Sequence, residues 1–295
     1  MAFDPNDAGR AAASAVAGVG GTRERLLESP LALVEDLRRA GRSPEPARED
    51  YSPDFQVCPP YRGLFVWRVG RDEVVGDASR IVFVRGDEGS RVFGPLADGY
   101  AELVLTPHPE VLAELAHANG TPLGSHPLFR GRSRRADPTF QLLRAGCHAR
   151  LAGRRWSDPL EAEELALGLL RAALRGGGPP RAPVGAATAR LVRRAKEFLA
   201  AELPNRIRLG DVARVAGASP SYLTDVFRRS QGVSLHRYLV QLRLARALHE
   251  LPDAADLTRL ALDLGFSSHS HFSAAFRRAF GTTPSAFRRG SRAGG

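Results

Sequence analysis

Two pairs of adjacent arginines, Arg228-Arg229 and Arg277-Arg278, stand 49 residues apart, each directly after a phenylalanine, Phe227 and Phe276. Paired cations of this kind suit a polyanion such as the phosphate backbone of a nucleic acid. Each pair belongs to a longer repeat. One copy runs from Val212-Ala213-Arg214-Val215-Ala216-Gly217 through the first arginine pair to Gly232, Ser234 and Tyr238. The other runs from Leu260-Ala261-Leu262-Asp263-Leu264-Gly265 through the second pair to Gly281, Thr283 and Phe287. The offset is 48 residues at the turn glycines and 49 from the following helix onward, so the second turn holds one inserted residue. A repeat of this period, built from short helices and basic pairs, points to a tandem DNA reader rather than a catalyst.

The charge distribution agrees. The chain of 295 residues has a net charge of +10. Residues 188–295 carry 18 basic and 8 acidic side chains, whereas residues 1–187 carry 24 of each. The whole excess therefore lies on the repeat-bearing segment, as phosphate binding requires. Lys196 is the only lysine, so the arginine richness partly reflects genomic base composition. That bias does not explain why the two parts differ in balance.

Other chemistries find less support. Cys58 and Cys147 are the only cysteines, too few for a disulfide framework, and a reducing cytoplasm is the default location. Cys58 precedes two prolines and reads as exposed. Cys147 lies near Arg144, His148 and Arg150, a basic setting that lowers a thiol pKa and leaves a redox role open. His108, His117, His126 and His148 form no closely spaced His-x-His pair with a nearby glutamate, so no metal site is expected. Nucleophile elbow, P-loop, dinucleotide fingerprint and Cys-x-x-Cys pair are all missing, so neither catalytic residues nor a cofactor are assigned. No apolar run approaches the roughly 20 residues of a membrane span, and the N-terminus lacks a signal-peptide pattern.

The elements that must hold the arginine pairs follow from periodicity and caps. Ser219-Pro220, Ser234, Asp256, Ser268 and Thr283-Pro284 open helices, and Gly217 and Gly265 supply the turns within each unit. Ala213 and Ala261 sit four residues before those glycines, where two helices cross closely. The helix after Ser234 reaches about Leu251 and spans roughly 25 Å. It could hold two recognition helices near one duplex repeat apart, about 34 Å. Ahead of the repeat, residues 54–107 switch to short strand-like runs, with Phe65 and Trp67 in one and Phe83 in another. These suggest a small antiparallel barrel or sandwich. Asp137-Pro138 and Asp158-Pro159 each open a helix. Their leucines, among them Leu142, Leu143, Leu160 and Leu170, suit either a homodimer seam or packing against the barrel. Residues 26–39 read as a short amphipathic helix, with Leu27, Leu31, Val34 and Leu37 on one side.

The C-terminal segment resembles the paired helix-turn-helix domain of AraC/XylS-family transcription regulators. The residues that carry the resemblance are Gly265-Phe266-Ser267, Ser270-His271-Phe272-Ser273, Phe276-Arg277-Arg278, Phe280-Gly281, Thr283-Pro284-Ser285 and Phe287-Arg288. It covers about residues 188–290. It implies an α+β chain: an N-terminal cupin-like antiparallel β-barrel with two following helices, then an all-α domain of two helix-turn-helix units joined by a long helix. The expected divisions are a disordered 1–22, a sensor or dimerisation domain at 23–175, a Gly/Pro linker at 176–187, a DNA-binding domain at 188–290 and a disordered tail at 291–295.

By the same resemblance, Ser221, Thr224 and Asp225 face bases in the first recognition helix, and His269, Ser270, Ser273 and Ala274 do so in the second. Arg228, Arg229, Arg277 and Arg278 lie close to backbone phosphates. Asp225 and Ala274 depart from the long polar side chains many relatives carry. Asp225 either accepts from a cytosine amino group or pairs with Arg228 or Arg229. Ala274 offers only a methyl contact. Tyr61, Phe65, Trp67 and Phe83 are candidates to line an effector pocket or are plain core. The resemblance implies a cytoplasmic activator whose partners are promoter DNA, RNA polymerase and an unidentified small-molecule effector, with a homodimer as one arrangement and no membrane. The alternative is a metal-dependent cupin enzyme fused to a DNA-binding module.

Overall fold

The computed structural model describes residues 21–45, 49–86, 88–118, 131–153, 158–175 and 185–293. Nine strands come first: β1 (Gly21–Glu28), β2 (Ala32–Arg39), β3 (Gln56–Cys58), β4 (Pro60–Val69), β5 (Asp72–Asp77), β6 (Arg80–Val84), β7 (Arg91–Phe93), β8 (Tyr100–Pro107) and β9 (Ser133–Arg135). All pairings are antiparallel, in the order β1-β2-β8-β3-β6-β9. β4 pairs with β8 over its first residues, and then with β5 and β7 from Leu64 onward. The change of partner falls at Gly63, whose φ is +68°. A Cβ there would lie 2.1 Å from the Gly99 carbonyl oxygen, so only glycine allows the two strands this approach.

Among the described residues, β1, β5, β7 and β9 each pair on one side only, so the sheet is not closed into the expected barrel. Residues 26–39 are not a helix but the ends of a hairpin, β1 and β2. Pro30 supplies the reason, since it has no N–H to give and stands mid-segment. The turn closes through Ser29, whose amide donates to the Ala32 carbonyl while its hydroxyl accepts from Leu31. The expectation of disorder for 1–22 lies mostly outside the described residues, although Gly21 and Thr22 already belong to β1.

Helix α1 (Pro109–Ala118) follows β8. Pro109 is its first helical residue, and Val111, Leu115 and Ala116 are buried. Helices α2 (Pro138–Ala152) and α3 (Pro159–Leu174) begin at the expected caps, Asp137 accepting from the Phe140 amide and Asp158 from the Glu161 amide. Their apolar faces turn into the chain's own core. Phe140, Cys147, Leu151, Ala162, Ala166, Leu169 and Leu170 pack with Val34, Ile81, Phe83, Leu103 and Leu105. A second core layer holds Leu37, Cys58, Phe65, Trp67, Val82, Tyr100 and Val104. Alternate residues of β8 serve the two layers, as the two-residue period of a strand dictates.

The rest is helical: α4 (Ala186–Ala201), α5 (Leu209–Ala216), α6 (Pro220–Gln231), α7 (Leu235–Glu250), α8 (Leu257–Asp263), α9 (His269–Phe280) and α10 (Pro284–Ala293). Residues 291–293 of the expected disordered tail belong to α10, and the remaining two lie outside the described residues. Most of the expected linker lies outside the described residues. The repeat now extends further back. Helices α4 and α7 both have 16 residues and begin 49 positions apart, as do α6 and α9. Each unit is therefore three helices. α7 belongs to both units, with Leu235, Tyr238 and Leu242 in the first core and Leu244, Ala247, Leu248 and Leu251 in the second. One continuous helix rooted in two cores makes a stiff connector.

Candidate nucleic-acid interface

Helices α6 and α9 each bury one face in a core and leave the other largely exposed. Leu223, Val226 and Phe227 are buried on α6, as are Phe272, Phe276 and Phe280 on α9. The spacing of three and four residues keeps these side chains on one face. Each helix has a serine N-cap, Ser219 accepting from the Tyr222 amide and Ser268 from the His271 amide. Each ends on a left-handed glycine, Gly232 and Gly281, whose amides satisfy the carbonyls of Arg228 and Arg277. Ala213 and Ala261 are 2% and 0% exposed where the helices of each unit cross.

The predicted DNA-facing residues lie on the uncovered faces. Ser221, Thr224, Asp225, Arg228 and Arg229 are exposed on α6. On α9, Ser270, Ala274, Arg277 and Arg278 are exposed, while His269 and Ser273 are half-buried. The Thr224 hydroxyl donates to the Ser221 carbonyl at 2.8 Å, which leaves its lone pairs and methyl group outward. The half-buried pair are partners, with the Ser273 hydroxyl 3.4 Å from His269 Nε2. Among the described residues Asp225 forms no ion pair, with Arg228, Arg229 or any other cation, so its carboxylate stays available as an acceptor. Tyr222, 51% exposed beside Ser221, is a large side chain on this face that the repeat pattern did not single out.

The turns carry a further feature. Arg243 on α7 donates to the carbonyls of Leu203 and Asn205, at 2.9 and 2.8 Å, and lies against the turn at Gly265. A Cβ on Gly265 would meet the Arg243 guanidinium and the Pro204 carbonyl, each at 2.6 Å. Arg194 occupies the matching position on α4, 49 residues earlier, and borders Gly217. Comparing the helices that precede each unit would have revealed this pair.

The two halves of the chain are joined by buried polar groups. Asp77, at the end of β5, is fully buried and accepts from Lys196 Nζ on α4 and the Tyr238 hydroxyl on α7, both at 2.9 Å. The Ser79 amide and hydroxyl bond its other oxygen. Burial alone would raise this carboxyl, but the Lys196 charge and these hydrogen bonds outweigh it and hold the pKa down to about 2. Nearby, Asp36 accepts from the Tyr61 hydroxyl at 2.6 Å and lies 3.0 Å from His148 Nε2. The Tyr61 ring packs at a tilt against His148 and against His249 of α7, with ring centroids 4.7 and 4.4 Å apart. Leu142 and Ala145 of α2 pack against the second helix-turn-helix core. Thus α2 is covered by its own chain along this side.

The four residues considered for an effector pocket are not brought together. Phe65 and Trp67 share one core layer, Phe83 lies in the other, and Tyr61 belongs to the cluster between the halves. Both cysteines are buried, contrary to the exposed reading of Cys58. Burial pushes the Cys58 thiol well up and the Cys147 thiol to about 12, so the arginines near Cys147 do not yield a reactive thiolate. Glu102 on β8 is 5% exposed, its Oε2 has no hydrogen-bond partner among the described residues, and burial raises it to about 8. Among the described residues no group of three His, Cys, Asp or Glu could hold a metal ion, and no helix is long and apolar enough to cross a membrane.

A family described as a helix-turn-helix domain matches residues 212–290. The regulatory protein SoxS of Salmonella typhimurium is 34% identical over 93 residues, covering 31% of this chain and 87% of SoxS. The Msm operon regulatory protein of Streptococcus mutans is 31% identical over 99 residues, 33% of this chain and 36% of that protein. The chain thus spans about a third of the length of that longer relative. A solved AraC-type transcriptional regulator from Chromobacterium violaceum is 28% identical with a TM-score of 0.34, covering 36% of this chain and 96% of that one. The chain belongs to the AraC/XylS family of DNA-binding transcription regulators.

Proposed function

We propose that the chain is a sequence-specific transcription activator that reads two successive major-groove segments of promoter DNA with α6 and α9. The observation that carries this reading is the pair of polar helix faces left uncovered by two matched cores. On each, a basic pair closes the helix and small polar residues open it. In this reading Ser221, Thr224, Asp225, His269, Ser270, Ser273 and Ala274 face bases, and Arg228, Arg229, Arg277 and Arg278 meet phosphates. DNA binding follows from membership of the family. Activation and contact with RNA polymerase rest on the family resemblance alone. The β-rich half serves as the sensor of a small molecule, and the protein acts in the cytoplasm.

The test is selection from a random duplex library followed by titration of the recovered site against a scrambled one at fixed salt. A preference of roughly a thousandfold or more is expected of a specific reader. Equal affinity for both duplexes would overturn the reading.

A further inference from the structure

A cleft of about 340 Å³ lies between the two halves, near the small end of the range for ligand sites, roughly 300–1,000 Å³. The β-rich half contributes Arg62, Leu96 and Asp98, and the helical half contributes Leu203, Leu242 and Arg246. The charges are unevenly satisfied. Arg246 is held by Glu250 one turn along α7, at 2.6 Å. Arg62 forms no ion pair with a described residue, and its Nε is buried without a hydrogen-bond partner. Asp98 is exposed and likewise forms no ion pair among the described residues. Both flank the close backbone contact of Gly63 and Gly99, which also line the cleft and carry no side chain to separate them.

A guanidinium with an orphaned Nε and an exposed carboxylate, neither in an ion pair among the described residues, thus share a small cleft whose remaining wall includes three leucines. A simple carboxylic acid would satisfy Arg62 but bring a like charge toward Asp98. A simple amine would do the converse. A ligand with both charges on neighbouring atoms satisfies both groups and leaves an aliphatic body for the leucines. We infer that the cleft binds an α-amino acid with an aliphatic side chain, its carboxylate at Arg62 and its ammonium group at Asp98. This rests on the reading of the β-rich half as a small-molecule sensor.

The cleft also explains how occupancy reaches the DNA-reading half. Its lining residue Ala78 follows Asp77, Ala200 is one turn after Lys196, and Leu242 is one turn after Tyr238. A ligand held by both halves stabilises only their docked arrangement, and with it the setting of α4 and α7.

The test is calorimetric titration of the full chain with L-leucine, with isocaproate and isoamylamine as the deaminated and decarboxylated controls. Saturable binding of L-leucine is expected, with each control at least about tenfold weaker. Arg62→Gln and Asp98→Asn should each weaken L-leucine by a similar factor without moving the unfolding midpoint of the free protein. No saturable binding, equal binding of isocaproate, or unchanged binding in either variant would overturn the inference. DNA affinity of the unliganded chain, measured alongside, decides the DNA-binding reading separately.

Discussion

Lys196 Nζ lies 2.9 Å from Asp77 Oδ2, and the side chains are 3% and 0% exposed. The chain's only lysine therefore ties the first helix of the helical half to a strand end of the other half. Removing one partner of such a pair leaves a buried charge alone, which costs roughly 3–5 kcal/mol. Lys196→Met should destabilise the protein by about that amount in urea unfolding. The double variant Asp77→Asn with Lys196→Met should recover much of the loss. Additive losses would show that the two groups are not coupled.

Among the described residues Asp225 forms no ion pair, so its carboxylate is free to accept from a base. Asp225→Ala should relax selection at one position, with a loss of roughly 1–3 kcal/mol against the preferred base pair only. Binding across a library of operator variants reads this directly. Uniform weakening, or no change, would remove Asp225 from base recognition.

Arg277 is exposed at the last turn of α9, where a phosphate contact is proposed. Arg277→Ala should weaken binding to all duplexes and flatten the log-log salt dependence by roughly one unit. An unchanged slope would mean that its charge meets solvent rather than DNA.

Glu102 makes stability depend on pH. Its carboxyl titrates near 4.5 when unperturbed and near 8 in the fold. Between those values the unfolded chain has released a proton that the folded chain keeps, so stability falls as pH rises, by at most about 1.4 kcal/mol per unit. Glu102→Gln keeps the shape and should remove this slope between about pH 5 and pH 8. Parallel profiles for the two proteins would refute the assignment.

The helical half was largely legible because its elements carry local signals. Ser219, Ser234, Asp256 and Ser268 are caps in the structure as their residue types suggested, and Gly217 and Gly265 take positive φ. The β-rich half was harder to read. Leu27, Leu31 and Val34 match a helical period as well as a strand, and only Pro30 argues against the helix. Strand partners far apart in sequence leave no local trace, so neither the open sheet nor the two core layers could be read from runs of residues. The Asp77 clasp was missed for a related reason. In the sequence Lys196 counts only as a sign of arginine-favouring base composition, although it sits next to Ala195 on a buried helix face. A lone lysine among arginines on an apolar stripe was the available signal. Its partner, 119 positions away, was not.

The central claim is that both recognition helices of one chain read a single site. Its most direct test is a footprint and affinity measurement on the selected operator, with either half-site scrambled in turn. Protection of two major-groove segments about one helical turn apart is expected, with a loss of specific affinity when either is scrambled. Protection of one segment only, with the other half-site freely replaceable, would contradict it.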